Sequence, residues 1–75
     1  MQGKASPDKL KVGGRFKHIR VVAIRNGQME TRSRKGTVTD IYPHIFRAKM
    51  DGHNYYECFS LELLETGVPE YIKPL

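Results

Sequence analysis

From residue 15 onward the chain alternates short apolar runs with polar residues, and turn-forming residues close each run. The clearest run is residues 15–25, Arg-Phe-Lys-His-Ile-Arg-Val-Val-Ala-Ile-Arg, rich in β-branched side chains and closed by Asn26-Gly27. Both turn residues tolerate positive φ, so the run predicts a strand entering a tight hairpin. Its apolar spacing is not strictly two: Phe16 is in phase with Val22 and Ile24, whereas Ile19 and Val21 are in the other phase. Either a bulge interrupts the strand or both of its faces are partly covered.

After the turn, Gln28-Met29-Glu30-Thr31-Arg32 predicts a short returning strand and Ser33-Arg34-Lys35-Gly36 an exposed basic loop. Residues 37–42 predict a further strand, stopped by Pro43, which has no N–H to give to a ladder. His44, Phe46, Ala48 and Met50 then alternate with Ile45, Arg47 and Lys49, the pattern of a half-buried strand with an apolar inner and a basic outer face. Asp51-Gly52 predicts a turn into a strand over residues 54–59. Ser60 as N-cap, Glu62 in the first turn and Gly67 as terminator predict one or two helical turns. Residues 1–12, with three lysines and poor alternation, predict a flexible basic arm ended by Gly13-Gly14. Residues 68–75, with Pro69 and Pro74, predict an extended tail adding little core.

The expected fold is mainly β: a small SH3-like five-stranded β-barrel over residues 13–67 with a short C-terminal helical turn. A five-stranded oligonucleotide-binding barrel is the structural alternative, though that fold usually needs a longer chain. Seventy-five residues allow one domain with a small core. A single cysteine, Cys58, excludes an internal disulfide and a cysteine-based zinc site, and its apolar surroundings predict a buried, inert thiol. With no apolar stretch long enough for a signal peptide or a membrane span, a soluble, cytoplasmic protein is expected.

Net charge is +5, unevenly spread. Residues 1–39 hold ten Lys/Arg against Asp8 and Glu30, which gives +8, and residues 40–75 hold three against six acids, which gives −3. Such a split favours an anionic partner, nucleic acid first among them, although lysines and arginines also keep exposed strand edges from aggregating. Arg15, Lys17, Arg20, Arg25, Arg32, Arg34 and Lys35 form the candidate phosphate-binding set, and pairing across Asn26-Gly27 is expected to bring Arg25 and Arg32 together. Phe46 and Tyr56 are expected in the core. Tyr55, which must face opposite to Tyr56 on a strand, is the candidate stacking residue. An exposed tyrosine beside Arg47 or Lys49 favours nucleic acid, and one beside Leu61 and Leu64 a peptide groove. His18, His44, His53 and Cys58 have no zinc-site spacing, the acids are scattered, and Gly13-Gly14 is no phosphate loop. Neither a metal, a cofactor nor an enzymatic activity is expected.

The segment Arg34-Lys35-Gly36-Thr37-Val38-Thr39-Asp40-Ile41-Tyr42-Pro43-His44-Ile45-Phe46 resembles the signature of the Veg-type family of small bacterial SH3-like barrels: a basic residue and glycine, a short strand, then Tyr-Pro-x-x-Phe. The family's later element, Ser-Tyr-Ser-Tyr-like before an Asp-Val-Leu-Thr-like turn, corresponds to Cys58-Phe59-Ser60-Leu61 and Glu62-Leu63-Leu64-Glu65-Thr66, with leucine and cysteine at aromatic or hydroxyl positions and one residue fewer. The likeness spans residues 13–67. It implies the fold, a bacterial or phage-like origin and a regulatory, non-enzymatic role, and it supplies no ligand. The functional expectation is a regulatory binding protein contacting nucleic-acid phosphates through its first hairpin. The alternative is an adaptor whose Tyr42, Ile45, Tyr55 and Leu61 dock a bacterial host or regulatory protein. Homodimerisation through an uncovered strand edge is a third possibility.

Overall fold

Asn26 and Gly27 adopt φ of 54° and 75°, and the Gln28 N–H closes the turn on the Arg25 carbonyl at 2.9 Å. The strands on either side are thereby folded back antiparallel. The computed structural model describes residues 10–75. Within them lie β1 (Arg15–Ala23), β2 (Met29–Ile41), β3 (Ile45–Met50), β4 (Tyr56–Ser60), a 3-10 turn (Leu61–Leu64) and β5 (Glu70–Pro74). All five strands belong to one antiparallel sheet in the order β4-β3-β2-β1-β5. The sheet is not closed: β4 and β5 are its edges.

Two expectations about the strands are corrected. Residues 33–36 form no loop, because 29–32 and 37–41 join through them into the single thirteen-residue β2. The polar run stays extended because every residue from Met29 to Thr37 has a cross-strand partner on β1, and alternate residues bond their backbone groups to that strand. The tail is no bystander either. Glu70–Pro74 pairs with β1, and Ile72, 1 % exposed, is a core residue.

The core combines Phe16, Val38, Phe46, Ala48, Met50, Phe59, Leu64 and Ile72 with Leu10. The Leu10 end of the expected arm is thus docked, and the Gly13 N–H donates to the Val38 carbonyl at 2.8 Å; the arm's residues 1–9 lie outside the described residues. Phe16 on β1 and Phe59 on β4 are separated by two intervening strands, yet their ring centroids are 5.7 Å apart. Phe46 lies 5.2 Å from Phe16 and 5.4 Å from Phe59. Only a strongly coiled sheet brings these three rings together. At the centre of the coil sits Gly36, paired with Phe16 on one side and Met50 on the other. A Cβ there would fall 2.9 Å from the Lys49 carbonyl oxygen and the Met50 sulfur, so only glycine fits.

Of the two readings of the mixed phase in β1, coverage of both faces holds, since Ile19 is buried on the side opposite Phe16. The register irregularity falls in β2, between Val38 and Asp40. The expected helix is a single 3-10 turn, with Ser60 Oγ accepting from the Glu62 N–H at 3.2 Å. Glu65, not Gly67, is its C-cap. Among the described residues no helix is long and apolar enough to cross a membrane.

Candidate nucleic-acid interface

Residues directly opposite each other on antiparallel strands share a face, so the ladders sort every candidate side chain. The inner face carries Phe16, His18, Arg20 and Val22 of β1 and Glu30, Arg32, Arg34, Gly36 and Val38 of β2. The outer face carries Arg15 and Lys17 of β1, Lys35 of β2, Lys73 of β5, and Arg47 and Lys49 of β3. The candidate basic set is therefore split. Arg15, Lys17 and Lys35 are brought together outside, Arg20, Arg32 and Arg34 inside, and Arg25 stands alone in the turn. Arg32 opposes Arg20 and not Arg25, because the ladder begins at Ala23–Met29.

The two faces differ in how their charges are met. On the inner face, His18 is buried at 4 % exposure, its ring 4.9 Å from that of Phe59, with Nε2 2.6 Å from Glu70 Oε2 and Nδ1 3.4 Å from an Arg34 nitrogen. Arg34 donates to both Glu57 carboxylate oxygens, at 2.6 and 3.1 Å, which holds the carboxyl below its ordinary pKa. Arg32 donates to Glu30 at 2.6 Å. His18, Arg20, Arg32, Ser33 and Arg34 line a depression of about 600 Å³, and of its basic side chains His18, Arg32 and Arg34 each meet a glutamate. The inner arrangement reads as structural.

On the outer face, Lys17 lies directly between Lys35 and Lys73 on three consecutive strands, a row about 10 Å long at the ~4.8 Å strand spacing. Like charges directly opposite destabilise a sheet. Among the described residues none of the three, nor Lys49, takes part in an ion pair. Edge protection does not account for Lys17, because β1 is flanked by β2 and β5. Arg15 and Arg47 frame the row, each bonded to an aspartate that it keeps below the usual carboxylate range. Arg15 meets both Asp51 oxygens at 2.7 and 2.6 Å, and Arg47 meets Asp40 at 2.6 and 2.9 Å.

Phe46 is in the core and Tyr55 is exposed, as expected, but Tyr56, expected in the core, is exposed as well. Tyr56 opposes Lys49 on the outer face at 53 % exposure, with the Arg47 guanidinium carbon 5.0 Å from its ring centroid. Tyr55 precedes β4 and leans on His53 in the loop, their rings 4.9 Å apart. Cys58 is exposed, not buried, because the alternation that turns Phe59 inward turns Cys58 outward. The sequence reading missed Arg47, Lys49, Tyr56 and Lys73 as site residues. The first two were legible as the outer phase of β3, whereas Lys73 had no signal once its segment was taken for a tail.

The alternative set divides as well. Ile45 and Leu61 line one depression of about 640 Å³ together with Pro43, His44, Ser60, Glu62 and Glu65, and Tyr42 is beside it in the β2–β3 turn. Tyr55 lies at the opposite end of the β3–β4 hairpin. Among the described residues no group of three His, Cys, Asp or Glu side chains is placed to hold a metal. No protein-family model, no curated protein and no solved structure matches the chain.

Proposed function

We propose that this protein is a non-enzymatic regulatory binding module that contacts nucleic-acid phosphates through the outer face of its sheet. The supporting observation is the lysine row Lys73–Lys17–Lys35, unpaired among the described residues and continued by Lys49 to the exposed ring of Tyr56. An anion relieves the mutual repulsion of the row, and an exposed ring beside a guanidinium gives an unpaired base a surface to stack on. Contacts of this kind supply affinity without reading sequence. Of the first hairpin, Lys17 and Lys35 carry the interface, framed by the Asp51-bound Arg15, and Arg20, Arg32 and Arg34 of the inner face do not.

The same reading takes the fold as an open relative of the SH3-like barrel, supported by the β1-to-β4 meander, the 3-10 turn before β5 and the return of β5 to β1. With the Tyr42-Pro43-His44-Ile45-Phe46 element, this connectivity supports a distant Veg-type relationship and a regulatory role in a bacterial cytoplasm. The test is fluorescence anisotropy with generic duplex and single-stranded DNA and RNA at low and moderate salt. Binding that weakens steeply with salt is expected, and no binding at low salt overturns the proposal. A second reading, docking of a protein partner, draws on the acid-rimmed Ile45–Leu61 depression, which suits an apolar side chain flanked by basic ones. It predicts that Leu61→Asp abolishes partner binding and leaves nucleic-acid binding unchanged.

A further inference from the structure

The long strand β2 has neighbours on both sides only in its second half. From Met29 to Arg34 it pairs with β1 alone, because the β3 ladder begins at Gly36. The direction of the backbone groups along this stretch follows from two flanking bonds. Val38 bonds toward the β1 side, giving its N–H to Gly14 and accepting from Gly13, and the Lys35 carbonyl accepts from the Asp51 N–H on the β3 side. Alternation along an antiparallel strand then directs the N–H and C=O of Met29, Thr31 and Ser33 out of the sheet, toward no partner among the described residues.

We propose that this edge pairs with the same edge of a second copy of the chain, antiparallel about a two-fold axis at Thr31. The register follows from charge. An axis at Thr31 sets Glu30 against the partner's Arg32 and Arg32 against the partner's Glu30, with Met29 opposite the partner's Ser33. An axis at Glu30 or Arg32 opposes like charges, and one at Ser33 sets Arg32 against the partner's Arg34. At Thr31 the hydrogen-bonding residues of the edge also coincide, so Met29, Thr31 and Ser33 each meet a residue whose backbone groups point back at them. Glu30 and Arg32 are exposed and now bonded to each other within one strand at 2.6 Å, so each exchanges one carboxylate–guanidinium bond for another across the interface. An edge kept solitary by charge usually carries one sign of it. This one alternates, which suits a self-complementary contact. Two copies joined this way continue one sheet through both chains in the order β5-β1-β2-β2-β1-β5, with β3 and β4 of each copy beside the second half of its own β2. The paired segment is five residues per chain, so the dimer is weak and depends on concentration.

The test is sedimentation of the full-length protein without nucleic acid, up to about 1 mM, where a dimer with a dissociation constant of that order is substantially formed. Wild type is expected to dimerise. Thr31→Pro removes an outward N–H at a position where an edge strand tolerates proline, and is expected to give monomers with an unchanged melting temperature. Glu30→Arg and Arg32→Glu each put like charges opposite one another and are expected to raise the dissociation constant about tenfold. Mixed together, the two variants are expected to recover dimers, because the mixed pair restores opposite charges. A wild type that stays monomeric, single variants that dimerise as wild type does, or a mixture that recovers nothing overturns the proposal. The outcome is independent of nucleic-acid binding.

Discussion

Replacing Lys17 and Lys35 by glutamine removes two of the four outer-face lysines that form no ion pair among the described residues, and leaves the inner face and the core untouched. The loss is predictable from counterion release, which lowers log K with log salt at a slope of about −0.9 per duplex phosphate neutralised. If Lys17, Lys35, Lys49 and Lys73 each meet one phosphate, the wild-type slope is about −3.6, and affinity falls about 150-fold between roughly 50 and 200 mM salt. With two lysines left the slope is about −1.8 and the fall about 12-fold. The assay is anisotropy of a labelled duplex titrated at four or more salt concentrations, with a thermal melt to show that the variant is folded. Arg20→Gln is the control, since Arg20 is exposed but points to the inner face. An unchanged slope in the double lysine variant, or a slope lowered by Arg20→Gln instead, refutes the assignment of the interface to the outer face.

Further outcomes follow from the same geometry. Tyr56→Ala is expected to weaken single-strand binding by about 1–3 kcal/mol without lowering the melting temperature, because the ring is exposed; Tyr55→Ala should weaken it less. Gly36→Ala overpacks the site between Phe16 and Met50 and should cost about 1–3 kcal/mol, a melting-temperature drop of roughly 5–20 °C for a domain this small. Asp40, Asp51 and Glu57 titrate below their ordinary values because each accepts hydrogen bonds from an arginine. Their stabilisation is present above the unfolded values of about 3.9 and 4.3 and is lost as the pH falls through the lowered folded values, because the unfolded chain binds protons first. Urea midpoints should therefore decline from pH 5 toward about pH 2–3, and Glu57→Gln should make the decline shallower. Cys58, exposed on β4, should react with a maleimide in the native protein as fast as it does in urea to within about tenfold.

Strand existence was legible wherever apolar and polar residues alternate, as in residues 45–50, and the Asn26-Gly27 turn was legible from conformational preference alone. The continuity of β2 was not, because Ser33-Arg34-Lys35-Gly36 has the composition of a loop and is held extended only by its ladder to β1. The β5 segment was hidden for a related reason: four residues between Pro69 and Pro74 show no period, and Ile72 is a core residue only because β1 receives it. Five strands were expected and five are present, though two of the expected ones are halves of β2 and the fifth is the tail. The site was legible as a block of charge and not as a surface. Its two faces are decided by the parity of the β1–β2 register, and a slip of β2 by one residue would set Arg34 in place of Lys35 opposite Lys17.

The β1–β2 hairpin reaches past the aromatic cluster, so its outer half is ladder without core beneath it. Val22, Met29 and Thr31 bury little, whereas Phe16, Val38, Phe46, Ala48 and Met50 on the same sheet are closed off from water. Amide protons of residues 20–33 are therefore set to exchange with solvent by local fraying, at a rate indifferent to mutations in the core. Those of residues 36–38 and 46–50 are set to exchange only when the whole domain opens. The two ends of one strand thus belong to different cooperative units, and Gly36 marks the boundary between them.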